Sequence, residues 1–300
     1  MQREQIDQVR RFNRTVTARV GVLHDSYLGR DRSIGAARLL WEIDADQGSD
    51  VRRLRDRLGL DSGYVSRLLR SLEADGLVTV ERQARDGRVR TVRLTGAGRE
   101  ELATLDGRSD ELACSLLEPL NEVQKARLVR SMAEVDRLLT AATVTVDAVD
   151  PDHPDARHCM GAYFAELQER LSSGYDPDLS LLPDAAGLRP PRGLLLLARL
   201  HGEPVGCAGL KLPEGAPAEI KRMWVAPDAR RLGLGRRFLA ELETRARGLG
   251  RTVLRLDSNG HLEAALALYR SCGYREVPAF NDEPYADHWF EKHLDAGPAA

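Results

Sequence analysis

Apolar residues recur at helical spacing through the first half of the chain. Ile6, Val9, Phe12, Val16, Val20 and Leu23 predict a first helix within residues 3–28. Ser33 opens a second, "SIGAARLLWEI". Asp50 and Asp61 stand where N-caps belong, ahead of "VRRLRDRL" and "SGYVSRLLRSLEADG", and Gly76 ends the latter helix. Residues 77–82 and 89–94 read as strands around the turn signal "QARDG". Thr95 caps a long helix, and another occupies "NEVQKARLVRSMAEVDRLL". Near Ala141 the pattern changes. "ATVTVDAVDP" is β-branched and alternating, and Pro151 stops it. From there strand and helix alternate: a helix in "HPDARHCMGAYFAELQERL", a Pro-rich loop, and a hairpin of "LLLLARL" and "PVGCAGLKL" around "HGE". The strand "AEIKRMWV" leads to the helix "GLGRRFLAELETRARGLG". The strand "TVLRLDS" leads to the helix "HLEAALALYRSCG", and "YREVPAF" and "DHWFEKHL" are final strands.

This organisation predicts two domains, 1–141 and 142–300, in a 300-residue chain. No apolar run is long enough to span a membrane, and the charged start lacks an apolar signal core, so a cytoplasmic protein is expected. Four scattered cysteines and seven histidines without an HExxH pattern point away from disulfides and from a metal site. Net charge is only −2, yet over residues 51–99 arginines outnumber acids twelve to six. A local basic region in a near-neutral chain fits a nucleic-acid face.

That region coincides with two short capped helices and a hairpin, a winged helix-turn-helix pattern in a mainly α domain. Val65, Leu68, Leu69 and Leu72 would face its core. Ser62, Tyr64, Ser66, Arg67 and Arg70 would face solvent or the major groove of double-stranded DNA, and Arg88 in the wing would approach the minor groove. "LEADGLV" and "DGRVRTVRLTGAG", with Asp86, Arg88, Leu94 and Thr95, resemble the MarR family of transcriptional regulators over roughly residues 1–140. The resemblance implies a homodimer formed through the terminal helices, residues 5–28 and 97–140, on a pseudo-palindromic site. A winged helix serving only dimerisation is the competing reading.

In the second half, "WVAPDARRLGLGRRFLAEL" joins a strand to a helix through a glycine-containing turn. Such a turn presents unpaired backbone N–H groups to an anion. It is neither GxGxxG nor GK[ST], which disfavours dinucleotide-fold and P-loop readings. Arg230, Gly233 and Gly235 match the [RQ]-x-x-G-x-[GA] signature of the GNAT acetyltransferase superfamily. "MWVAP" before it, and "LRLDSN" and "ALALYRSCGY" after it, strengthen the resemblance, which covers about residues 142–296. It implies an α+β fold with a mixed, splayed central sheet and acetyl-CoA as co-substrate.

By the same resemblance, the segment Arg230, Arg231, Leu232, Gly233, Leu234, Gly235 and Arg236 would hold the coenzyme pyrophosphate. Its backbone N–H groups matter most, with Arg236 and Arg237 as solvated surface. Met223, Val225 and Asn259 would hold the pantetheine arm. Tyr269 falls at the general-acid position. Glu219 would act as base or else be a strand charge paired with Lys221. The acceptor pocket would draw on Tyr175, Lys221, Arg222, Asn281, Glu283 and Tyr285. Their mixed charges suit a small, amino-acid-like amine. The resulting expectation is a transcriptional regulator fused to an N-acetyltransferase. The alternative is a regulator whose second domain senses acetyl-CoA or a small ligand without turnover.

Overall fold

The computed structural model describes residues 3–21, 27–30, 32–43, 48–82, 90–171, 174–176 and 185–294. These residues form two compact units, Met1–Met132 and Ala133–Ala300. Both this boundary and the expected one after residue 141 fall within the helix Glu122–Thr143.

The first unit begins with α1 (Arg3–Arg19), which stops short of the expected residue 28; Gly21 takes a left-handed φ of 70° two residues on. Next come α2 (Ile34–Glu42), a short β1 (Ser49–Asp50), α3 (Val51–Leu58) and α4 (Ser62–Ala74). Strands β2 (Val78–Arg82) and β3 (Arg90–Leu94) follow, then α5 (Gly96–Leu117) and α6 (Glu122–Thr143). The caps form as the sequence predicts. Asp50 accepts from the Arg52 and Arg53 amides at 2.7 and 3.0 Å, and Asp61 from the Tyr64 amide at 2.9 Å. The β1 strand was not anticipated. Asp50 pairs with Thr91 in the sheet order β1-β3-β2 while its side chain caps α3, which fixes α3 against the hairpin.

Val65, Leu68, Leu69 and Leu72 of α4 are buried with Leu39 and Leu40 of α2, as their spacing requires. Thr95 both donates to the Gly76 carbonyl (2.7 Å) and accepts from the Gly98 amide (3.0 Å), pinning α5 to the turn after α4. A methyl group at Gly98 would lie 2.0 Å from the Leu77 carbonyl oxygen. Gly98→Ala is therefore expected to cost about 1–3 kcal/mol of stability, read as a lowered melting temperature.

The second unit contains β4 (Thr145–Val149), α7 (Pro154–Arg170), β5 (Gly193–Leu200), β6 (Glu203–Lys211), β7 (Ala218–Val225), α8 (Leu234–Gly248), β8 (Val253–Ser258), α9 (Glu263–Ser271), β9 (Arg275–Val277) and β10 (His288–His293). The seven strands run β4-β5-β6-β7-β8-β10-β9, antiparallel except for β7–β8. "LLLLARL" is apolar throughout because β5 is covered on both faces. Leu196 and Ala198 join the cluster under α8 with Phe238, Leu239 and Leu242. Leu195 and Leu197 join the cluster under α7 with Ala156 and Cys159.

Two irregularities in β7 create the space for a site. Opposite β6, Cys207 pairs with Trp224 and Gly209 with Lys221, so Arg222 and Met223 together face Ala208 in a bulge. Arg222 takes a left-handed φ of 54° there. Opposite β8, pairing is confined to Ala218↔Leu254 and Glu219↔Arg255. The expected splay of a mixed sheet begins at that fork.

Candidate functional site

A cavity of about 470 Å³ lies where β7 runs into α8. Met223, Trp224 and Val225 form one wall, and Arg230, Arg231, Gly233, Leu234, Gly235 and Arg236 another. Gly233 caps α8 in the left-handed conformation (φ 76°), and Arg231 shares that conformation at 72°. Left-handed residues in such a turn gather successive backbone N–H groups into an anion-binding concavity, and the helix dipole adds to it. Gly235 is needed for another reason: a Cβ there would meet the Leu268 side chain of α9 at 2.6 Å.

The arginine side chains of this segment have separate partners. The Arg230 guanidinium donates to both Glu166 oxygens at 2.6 and 2.5 Å and to the Val225 carbonyl at 3.2 Å. It braces the turn with its side chain. Arg236 donates to Ser271 Oγ (3.2 Å). Arg237 is exposed, as expected, and its guanidinium also donates to the Val144 carbonyl at 2.6 Å. Glu166 on α7 was not singled out from sequence. It also receives the Trp224 indole N–H at 2.8 Å and pairs with Arg170 at 2.7 Å. Burial pushes its carboxyl up, but the bonds from Trp224 and Arg230 outweigh burial and hold it below the usual carboxylate range. One carboxylate thus ties α7, β7 and the turn together around the larger cavity.

A smaller cavity, about 90 Å³, opens in the fork between β7 and β8. Tyr163, Leu167, Met223, Leu262 and Ala265 line both cavities, so the two share a wall. Of the expected acceptor residues, Tyr175, Lys221, Arg222, Glu283 and Tyr285 line the smaller one, as do Asn259 and Tyr269. Asn281 stands just behind, its amide donating to Asp257 at 3.0 Å. Tyr163, Phe164, Tyr175 and Tyr285 make a continuous aromatic strip, with ring centroids 5.5, 5.7 and 4.8 Å apart in turn. The Arg222 guanidinium lies 5.5 Å from the Phe164 ring.

Tyr269 is 7 % exposed, packed against Tyr274 and Phe290. Burial, then the charge of Asp257, push its phenol well above the usual tyrosine value. Glu219 stands apart. It belongs to the last paired rung before the fork and lines neither cavity. Its carboxylate lies 3.3 Å from Lys221 Nζ. Asp257, on the open side of the fork, was missed in the sequence. Its strand reads as alternation, with Leu254, Leu256 and Ser258 buried and Arg255 and Asp257 between them, and that alternation was the available signal.

On the first unit, Ser62, Arg67 and Arg70 are exposed on α4. Arg67 lies 5.7 Å from the Tyr64 ring, and Arg70 donates to the Ser66 carbonyl at 3.2 Å. Tyr64 is half-buried and packs its hydroxyl end against Gly35 of α2, which gives it a share in the core. Arg88, with Asp86, lies outside the described residues.

A family model for GNAT acetyltransferases matches residues 159–274, and a MarR family model matches residues 29–89. An IAA acetyltransferase of Azospirillum brasilense is 36% identical over 121 residues, which are 40% of this chain and 78% of that protein. The chain belongs to the GNAT acetyltransferase family. The N-alpha-acetyltransferase RimI of Mycobacterium tuberculosis is also 36% identical, over 145 residues that are 46% of this chain and 84% of that one. A GNAT-family acetyltransferase structure from Staphylococcus aureus covers 50% of this chain and 99% of its own, at 17% identity and a TM-score of 0.44. The GNAT match falls in the second unit, behind a MarR-like helical unit. Homologues of the second unit are acetyltransferases.

Proposed function

We propose that the second unit transfers an acetyl group from acetyl-CoA to a small amine, and that the first unit binds double-stranded DNA as a homodimer. The observation that carries the enzymatic part is the shared wall between the two cavities. A donor lying along the larger one delivers its thioester to the mouth of the smaller one. The residues present fit such a donor. The Arg231–Arg236 turn offers clustered backbone N–H groups to a pyrophosphate. The edge of β7 beyond Glu219, left unpaired by β8, offers main-chain groups to the amide-bearing arm. Acetyl-CoA supplies the activated acyl group. Tyr269 holds a proton for the leaving sulfur, and a backbone N–H near Val225 faces the oxyanion. The mixed charge around the smaller cavity, with Arg222 and Lys221 beside Asp257 and Glu283, suits an amino-acid-like acceptor.

The test is a panel of amino acids and polyamines incubated with acetyl-CoA and read by free thiol. Turnover with at least one amine is expected. Binding of acetyl-CoA with no turnover across the panel would favour a ligand-sensing role instead.

For the first unit, the exposed arginines of α4 present a basic face. Val9 (58 % exposed) and Phe12 on α1, with Val123 (78 % exposed) and Val129 on α6, present apolar residues that a partner would cover. Arg67→Ala plus Arg70→Ala is expected to weaken binding to a random-sequence duplex by about tenfold or more, measured by gel shift at fixed salt. Unchanged affinity would leave the winged helix with dimerisation alone. No helix among the described residues is long and apolar enough to cross a membrane; we place the protein in the cytoplasm.

A further inference from the structure

The fork between β7 and β8 contains a buried charge chain, Glu219–Lys221–Asp257. Lys221 is enclosed, its side chain 2 % exposed, and two carboxylates share it. Glu219 lies 3.3 Å from Nζ on the closed side of the fork, and Asp257 bonds Nζ through Oδ2 on the open side. Asn281 donates to that same Oδ2 at 3.0 Å. The amide of Asn281 is itself oriented, because its oxygen accepts the Trp289 indole N–H at 2.7 Å. Both side-chain hydrogen bonds of Asp257 among the described residues therefore end on one oxygen. Asp257 lines the smaller cavity together with Tyr269.

We propose that Asp257, held at Oδ2 by Lys221 and Asn281, binds the ammonium group of the acceptor through Oδ1 and removes its proton. This assignment rests on the acetyl-transfer reading. Two carboxylates against one ammonium leave the chain with one net negative charge, which favours a cationic primary amine over a neutral nucleophile. Glu219 is the far end of the chain and reaches the acceptor only through Lys221. Lys221 is a positioning residue: it fixes the carboxylate that meets the substrate.

In the step, the ammonium gives one proton to Asp257 Oδ1, and the freed lone pair forms the C–N bond at the thioester carbon. The C–S pair leaves with sulfur, which takes the phenolic proton of Tyr269. The second proton shed by nitrogen restores the phenol, and Asp257 returns its own to solvent. The charged and titratable groups around Asp257 are Lys221, Glu219 and Arg222 from β7, Tyr163 from α7, Tyr269 from α9, and Glu283 from the segment before β10. The two phenols stay neutral because burial, with the nearby charges, raises both.

The experiment uses the full chain, acetyl-CoA and two probes: the best acceptor of the amine panel and hydroxylamine, which is already neutral near pH 7. Asp257→Asn is expected to lower kcat on the charged amine by about 10²–10³-fold, and on hydroxylamine by less than about tenfold. Calorimetric affinity for acetyl-CoA should stay as in the wild type, and the loss on the charged amine should shrink as pH rises. Glu219→Gln is expected to lose at least about tenfold less than Asp257→Asn. Equal losses on both probes, or a Glu219→Gln loss as large as that of Asp257→Asn, would overturn the assignment. Transfer by the wild type to neither probe, with acetyl-CoA bound, would overturn the acetyl-transfer reading and this assignment with it.

Discussion

Tyr269→Phe is expected to lower kcat by about 10²–10³-fold while acetyl-CoA binds as it does to the wild type. The ring sits between Tyr274 at 6.3 Å and Phe290 at 5.7 Å, contacts that phenylalanine preserves. The substitution therefore removes a hydroxyl and little packing. What disappears is the proton for the leaving sulfur. A thiolate is a poor leaving group beside an amine that is also protonated, so the tetrahedral adduct reverts instead of advancing. The same burial that raises the phenol keeps it protonated on the alkaline side. A group whose value is raised stays in its acid form above the ordinary tyrosine range, so wild-type kcat should show no descending limb from Tyr269 below about pH 10. Free-thiol release against pH, with calorimetry for acetyl-CoA, checks both parts.

Gly233→Val is expected to weaken acetyl-CoA binding by about tenfold or more. Space is not the reason, since a Cβ at Gly233 would meet nothing within 4 Å. The reason is the φ of 76°, which a β-branched residue adopts only under strain. Relieving the strain rotates the amides at the start of α8 away from their common focus. Arg236→Ala should cost less, because it deletes a side chain bonded to Ser271 and leaves the amides in place. Calorimetric titration of both variants tests this order. The reverse order would mean that arginine side chains, not the turn, hold the pyrophosphate.

Much of the framework is legible in the residues themselves. Asp50, Asp61 and Thr95 announce three helix starts because capping is local chemistry, decided within three or four residues. The apolar runs of β5 and β6 around their tight turn, and the turn before α8, are equally local. The signature Arg230, Gly233 and Gly235 points to the turn, yet not to what Arg230 does there. Its partner Glu166 lies 64 positions away on another element, and nothing in either segment reveals the pairing. Lys221 and Asp257 are 36 positions apart and meet only because β7 and β8 run parallel and then part. By resemblance Glu219 read either as a base or as a strand charge paired with Lys221, and nothing within that strand decides between the two. The decisive fact, on which side of the fork a side chain stands, belongs to strand pairing. Tyr64 shows the same limit on the first unit: its spacing places it on the helix surface, and contact with α2 draws it inward.

Acetyl transfer through Tyr269 is tested by mass spectrometry of the amine panel after incubation with isotopically labelled acetyl-CoA, comparing the wild type with Tyr269→Phe. A labelled acetylated amine is expected to accumulate with the wild type and to be nearly lost with the variant. Bound acetyl-CoA with no labelled amine, or the same labelled product formed equally by both proteins, would contradict it.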